Sequence, residues 1–175
     1  MLTAMQKEIN DALNEQIRME FNAAFRYLSF SVDLREFGLP GMGHWLREQY
    51  REECGHALRL ISYLGKRGGK ALMPHIARPA YVWETPLDIF VMALEHEKLV
   101  SASISSLLAL CMELRDFATQ GLMFEYVREQ VEEERSVLDI VEELRLCQGS
   151  SMAGAVLRLD ERLGRRELAS DSIWA

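Results

Sequence analysis

Residues 70–84 of the chain read KALMPHIARPAYVWE, and this stretch decides how the remainder can fold. Two prolines interrupt it, while apolar residues recur at helical spacing on both sides. A stretch of 15 residues spans at most about 50 Å when extended, whereas a helix of roughly 26 residues is about 39 Å long. The stretch can therefore travel the whole length of a bundle, which predicts two antiparallel helix pairs joined by one long crossover.

Breakers divide the chain into five predicted helices, which makes the fold class all-α, a four-helix bundle with a short fifth C-terminal helix. Glycines and prolines mark most of the boundaries, but none separates the third helix from the fourth, where Asp116 is the best cap. We expect a single domain over residues 1–175, with its bundle at about 5–148. The predicted helices cover about 5–36, 42–66, 86–114, 117–148 and 151–165, followed by a tail at 166–175.

Composition narrows the class of protein. The net charge of −7 disfavours nucleic acid and anionic membranes as partners. The cysteines Cys54, Cys111 and Cys147 cannot all pair and lack CxxC spacing, which favours reduced thiols. The N-terminus has no apolar signal core, and no uncharged apolar run approaches the roughly 20 residues of a membrane span. We therefore expect a cytoplasmic protein.

Each predicted long helix has an apolar stripe that polar side chains interrupt at mid-length. A single Glu is followed 33 residues later by a polar pair at i, i+3, and this pattern occurs twice. Approximate two-fold symmetry between the helix pairs would bring all of these side chains to one level of the core. They are Glu20, Glu53 and His56 in the first half of the chain, and Glu97, Gln130 and Glu133 in the second.

These six side chains predict a metal site. Four of them are carboxylates, and burying each one without compensation costs several kcal/mol. No Lys or Arg lies on the stripes near the cluster, so a divalent cation is the expected source of positive charge. Carboxylate oxygens with one imidazole suit Fe, Mn or Zn. One Glu-x-x-His motif alone usually means solvated charges, but matching heights on four helices favour a site.

Four segments resemble the bacterial non-haem ferritins, members of the ferritin-like di-iron carboxylate family, over nearly the whole chain. They are EFNAAFRY at 20–27, EECGH at 52–56, HEK at 96–98 and EQVEEE at 129–134. The resemblance implies that Glu53 bridges two iron ions. The implied ligands are Glu20, Glu53 and His56 for the first iron and Glu53, Glu97, Gln130 and Glu133 for the second.

Further roles come only from the resemblance. Tyr27 matches a tyrosine beside the iron centre that supplies either an electron or only a hydrogen bond. Glu52, Glu129 and Glu132 match a third iron site, with a solvated acidic flank as the alternative interpretation. Glu125 stands where close relatives have a tryptophan, which puts an electron relay at this position in doubt.

The resemblance also implies a function. Fe(II) would be oxidised by O2 or H2O2 at the dinuclear site, a ferroxidase activity, and stored as ferric mineral in an oligomeric cage. A non-catalytic metal-buffering helical assembly is the alternative from another class. Bacterioferritins would repeat Glu-x-x-His in both halves, whereas the second motif here is Gln130-x-x-Glu133. Mini-ferritins place their ligands between subunits, whereas one bundle here supplies a full set. Rubrerythrins need a CxxC pair, which this sequence lacks. Cys54 stands where bacterioferritins have an axial methionine, so we expect no haem.

The fifth helix bears on assembly. Its apolar stripe is Met152, Val156, Leu159 and Leu163, and a helix this short must bury such a stripe to be stable. In ferritins the corresponding helix packs against symmetry mates around a four-fold axis of a twenty-four-subunit shell. We therefore expect a closed homo-oligomer of octahedral symmetry, with packing against its own bundle as the alternative.

Overall fold

The computed structural model describes residues 5–147 and 153–166, which form five helices and no strand. The helices are α1 (Lys7–Glu36), α2 (Pro40–Lys66), α3 (Pro86–Glu113), α4 (Phe117–Leu146) and α5 (Ala153–Leu163). The all-α prediction is confirmed. The predicted end of the fourth helix at 148 and most of the tail lie outside the described residues. No helix within the described ranges is long and apolar enough to span a membrane.

Two apolar clusters show how the helices run. One cluster joins the C-terminal half of α1 to the N-terminal half of α2, and the N-terminal half of α3 to the C-terminal half of α4. The other cluster joins the remaining halves. Each helix pair is therefore antiparallel, and the chain has to change ends of the bundle between α2 and α3.

The crossover makes this change of ends by running along α1. Near its start, the backbone N–H of Lys70 donates to Oδ1 of Asn10 at 2.8 Å. Near its end, the hydroxyl of Tyr81 donates to Oδ2 of Asp33 at 2.6 Å. Because Asn10 lies in the first turns of α1 and Asp33 in the last, residues 70–84 follow the helix for nearly its whole length, as predicted.

The short fifth helix packs on α2 of its own chain. Leu159 and Leu163 are buried in the same apolar cluster as Trp45, and Val156 packs partly against it. The prediction that this stripe needs symmetry mates is therefore wrong for both leucines, because a single bundle already buries them. Met152, at the predicted start of the stripe, lies outside the described residues.

A carboxylate on α5 caps the start of α2. Buried Asp160 accepts a hydrogen bond from the backbone N–H of Met42 at 2.7 Å, whereas the helix's own N-cap, Leu39, has no side chain able to do so. A Cβ at Gly41 would lie 1.8 Å from the backbone oxygen of Asp160. Only glycine allows α2 and α5 to approach this closely.

The turn between α3 and α4 explains why its sequence signal was weak. Asp116 is the N-cap, as predicted, and its Oδ1 accepts from the backbone N–H of Thr119 at 3.1 Å. The preceding residue, Arg115, has a φ of 55°. This left-handed conformation costs a non-glycine residue about 1–2 kcal/mol. Glycine usually occupies such a position after a helix, and without it the sequence lacks the usual signal of a turn.

Candidate metal centre

A polar layer separates the two apolar clusters at mid-height of the bundle. On each long helix, residues of one cluster are followed by buried polar side chains and then by residues of the other cluster. Five of the six predicted ligands are buried, and the side chain of His56 is 12% exposed. We call Glu20, Glu53 and His56 the first half of the site, and Glu97, Gln130 and Glu133 the second half.

The first half is close-packed and short of hydrogen bonds. Its ligand atoms lie within 4.8 Å of one another, and Nδ1 of His56 is 3.4 Å from Oε2 of Glu53. Both oxygens of Glu53, Oε2 of Glu20 and Nδ1 of His56 are buried and find no hydrogen-bond partner among the described residues. Buried polar groups without a partner are rare, and one cation between these side chains would satisfy all four atoms.

The second half is hydrogen-bonded by the protein itself. Glu97 accepts from the hydroxyl of Tyr27 at Oε1 and from Nε2 of Gln130 at Oε2, the latter at 3.2 Å. Oε2 of Glu133 accepts from Nε2 of Gln49 at 2.7 Å. Each carboxylate oxygen has a second lone pair, so these donors orient the carboxylates without preventing metal binding. Gln130 would have to turn its amide to offer the oxygen to a metal.

Burial and mutual repulsion raise the pKa values of these carboxyl groups. Burial raises the pKa of Glu20 well above its usual range, and the charge of Glu53 raises it further. Burial also raises the pKa of Glu53, with Glu97 adding to the rise. Burial, Glu52 and Glu97 raise the pKa of Glu133 to about 8. A divalent cation would favour the ionised forms, so metal binding would release protons.

Tyr27 is buried and serves the second half as a hydrogen-bond donor. Burial and the charge of Glu97 raise the pKa of the Tyr27 phenol well above its usual range. The phenol is therefore neutral at physiological pH and keeps its proton for the bond to Glu97. Its supply of an electron stays a prediction.

The three carboxylates of the predicted third iron site have different partners. Oε2 of Glu52 is 2.8 Å from Nη2 of Arg166, and Oε1 of Glu129 is 3.3 Å from Nη1 of Arg59. Glu132 is exposed. Among the described residues, only the first half of the site brings three potential ligand atoms within 4.8 Å of one another. The third site stays a prediction.

Sequence analysis missed the side chains that hold the ligands. Gln16 and Gln49 each lie four residues before a ligand on the same helix face, so their spacing could have identified them. Arg59, which also pairs with Glu125, and Arg166 bring positive charge to acids beside the ligands. Neither arginine pairs with Glu20, Glu53, Glu97 or Glu133, so the expectation that a cation supplies positive charge to these four carboxylates stays a prediction. Arg166 follows α5 and had no local signal.

Comparisons with known proteins agree with the sequence resemblance. The sequence model of the ferritin family, described as the ferritin-like domain, matches residues 10–147. The chain is 35% identical over 162 residues to a bacterial non-heme ferritin of Bacteroides fragilis, covering 93% of this chain and 99% of that one. It is 34% identical over 142 residues to a bacterial non-heme ferritin of Campylobacter jejuni, covering 81% and 85%.

The solved structures give the same answer for the fold. An open pore ferritin from the archaeon Archaeoglobus fulgidus superposes with a TM-score of 0.90 at 38% sequence identity, over 94% of this chain and all of that one. A closed form of the same protein, engineered by mutagenesis, superposes with a TM-score of 0.91 over 95% of this chain. Because sequence and structure both match over more than nine-tenths of the chain, with the polar layer at the height that the motifs predict, this chain belongs to the ferritin family.

Proposed function

We propose that the chain is an iron-storage ferroxidase that oxidises Fe(II) to Fe(III) at a dinuclear site inside each bundle. One observation carries the proposal: four buried ligand atoms of the first half have no hydrogen-bond partner among the described residues. Glu97, Gln130 and Glu133 would serve a second Fe(II), and Glu53 would contact both ions. The identity with bacterial non-heme ferritins supports iron as the metal.

A pair of irons suits the oxidation chemistry. Each Fe(II) gives one electron, so O2 accepts two electrons and two protons to become H2O2, and no superoxide is released. With H2O2 as the oxidant, two electrons and two protons yield two molecules of water. The carboxyl groups that lose protons on binding Fe(II) are a local proton source.

The ferric product would collect as mineral inside a closed cage of identical chains in the cytoplasm. Octahedral symmetry, as in ferritins, would give this cage about 24 subunits. The ferritin relatives support this assembly, whereas the buried stripe of α5 no longer does. Leu157 is exposed on α5, so an interface there would use this side chain. Light scattering of the purified protein tests the cage, and a monomer or dimer at working concentration would rule it out.

Two other functions make different predictions. A metal-buffering assembly would bind Fe(II) without oxidising it, so protein that fails to accelerate Fe(II) oxidation in air is not a ferroxidase. A bacterioferritin would carry haem between subunits, but Cys54 supplies a thiol, not the thioether of methionine, at the corresponding position. A Soret band that co-purifies in stoichiometric amount would overturn the expectation of no haem.

The decisive experiment is an anaerobic Fe(II) titration followed by pulses of O2. We expect about two Fe(II) ions to bind per chain and to be oxidised together, as a two-metal site requires. The ratio of iron oxidised to O2 consumed then identifies the reduced product: a ratio near 2 indicates H2O2 and a ratio near 4 indicates water, as expected from electron balance with about one electron per iron. Binding of a single Fe(II), or none, would contradict the proposal.

A further inference from the structure

The side chain of Arg166 reaches the polar layer from outside the bundle. Its Nη1 donates to Oε1 of Gln49, and its Nη2 donates to Oε2 of Glu52 at 2.8 Å. The guanidinium also lies over the indole of Trp45, 4.7 Å from the ring centroid. Four-fifths of the side chain is buried, since its exposure is 22%. A guanidinium with two oxygen acceptors and an aromatic face is held in one geometry.

The position of Arg166 decides which way the amide of Gln49 points. Gln49 is completely buried between the guanidinium and the carboxylate of Glu133. The amide oxygen of Gln49 faces the guanidinium of Arg166, and its NH2 group faces the carboxylate of Glu133. The reverse orientation would set like partial charges against each other on both sides. The hydrogen bond from Gln49 to Glu133 therefore depends on Arg166.

The docking of α5 fixes the backbone that carries this arginine. Asp160 caps the start of α2, and the backbone oxygen of Arg166 is 2.8 Å from Nε2 of His44. Two polar contacts and the buried leucines of α5 thus hold the end of the described chain against α2. Arg166 has little freedom to leave Gln49.

We infer that Arg166 is a positioning residue for the second half of the site, acting through Gln49 on Glu133. This inference rests on the proposed iron site. Arg166 donates a hydrogen bond to Gln49, and Gln49 donates one to Glu133, so the two contacts are direct. Partners that orient a metal-binding carboxylate in this way typically contribute about 10–100-fold to metal affinity.

Positioning and simple electrostatics predict opposite results. Removing a positive charge near a cation site should strengthen cation binding. Removing the group that orients Gln49 should weaken binding at Glu133, since the amide is then fixed from the carboxylate side alone and holds Glu133 less firmly. The sign of the change therefore distinguishes the two effects.

The test is an oxygen-free titration with Co(II), which binds without being oxidised and reports coordination in its visible spectrum. In Arg166→Gln we expect the second equivalent of Co(II) to bind about tenfold more weakly, with the first equivalent unchanged. Arg165→Gln is the matched control, because Arg165 is an exposed neighbour paired with Glu161, and it should bind like the wild type. Tighter or unchanged binding of the second equivalent in Arg166→Gln would overturn the inference.

A double-mutant cycle tests the route through Gln49. In a Gln49→Met background, Arg166→Gln should change the second equivalent less than about twofold, because the link is already broken. A further tenfold loss would mean that Arg166 acts by another route. If the wild type itself does not bind two Co(II) ions, the proposed dinuclear site fails and this inference fails with it. If the wild type binds two and the variants bind like it, only the role of Arg166 is wrong.

Discussion

The two helix pairs carry their proposed ligands at equivalent positions but in unequal surroundings. Each ligand of the second half lies 77 residues after its counterpart in the first, at 20 and 97, 53 and 130, and 56 and 133. In the first half, most ligand atoms have no hydrogen-bond partner within the described ranges, whereas the second-half carboxylates accept hydrogen bonds from Tyr27, Gln49 and Gln130. The first half therefore gains most from a cation, while the second is oriented before a cation arrives.

The asymmetry comes from the supporting side chains. Tyr27 and Gln49 lie on α1 and α2, yet they donate across the bundle to ligands on α3 and α4. The residues 77 positions later are Ile104, which has no donor, and Tyr126, whose hydroxyl donates to the backbone oxygen of His56 at 2.9 Å and not to a ligand side chain. The ligands follow the internal repeat of the chain, and their partners do not.

Removal of the bridging carboxylate should have the largest effect, because Glu53 is the one proposed ligand assigned to both iron ions. We expect Glu53→Ala to slow oxidation of a small anaerobic Fe(II) load by about 100-fold or more, since loss of a direct ligand should exceed the loss of an outer partner. Stopped-flow mixing with O2 measures the rate. The variant should still fold, because it removes an unpaired buried carboxylate. A wild-type rate at two irons per chain would show that this site assignment is wrong.

Loss of a ligand from one half should leave the other half able to bind. In Glu133→Ala we expect the second Fe(II) to bind at least about tenfold more weakly and the first to bind normally, and Glu97→Ala should behave alike. Glu20→Ala should weaken the first equivalent instead. Anaerobic calorimetry with Fe(II) separates the two equivalents. Loss of both equivalents in Glu133→Ala would mean that the halves do not bind independently.

The pH dependence of stability tests the raised pKa values. Without metal, the folded chain keeps a proton on Glu133 between its ordinary pKa of 4.5 and its raised pKa of about 8, whereas the unfolded chain releases it. The free energy of unfolding should therefore fall as pH rises through this window, by about 1.4 kcal/mol per pH unit for each such group. Denaturant unfolding in chelator measures the slope, which should be shallower in Glu133→Gln. A rising stability would contradict the raised pKa.

The smallest effect should follow from removing one donor of the second half. Tyr27→Phe takes away the hydroxyl that orients Glu97 and leaves Oε1 of Glu97 without this donor, like the unpaired oxygens of Glu53. We expect the second Fe(II) to bind roughly threefold to tenfold more weakly, at or below the lower end of the range for outer partners, because Gln130 still donates to Glu97. Unchanged binding would contradict the positioning role of Tyr27, and a fall in the oxidation rate at saturating Fe(II) would indicate that Tyr27 supplies an electron.

Much of the fold, and the meeting of the six proposed ligands at one level of the core, could be predicted because the signals are local. Proline and glycine mark helix ends, and the 33-residue repeat places the polar side chains at one height. The burial of α5 was predicted wrongly because an amphipathic stripe does not specify its partner: Leu159 and Leu163 pack in the apolar cluster that contains Trp45. The turn between α3 and α4 had only a weak sequence signal, because Arg115 adopts a left-handed conformation at a position where glycine usually indicates a turn.

The sequence by itself determined that the chain is helical, where each helix runs and which face of each long helix carries the proposed ligands, because a helix fixes height and direction by residue count alone. Tertiary structure decided which ligands are hydrogen-bonded and which are not. Tyr27 meets Glu97 across 70 positions, Gln49 meets Glu133 across 84, and Arg166 meets Gln49 across 117. Such contacts depend on how packed helices bring distant side chains together, and no local pattern in the chain encodes that.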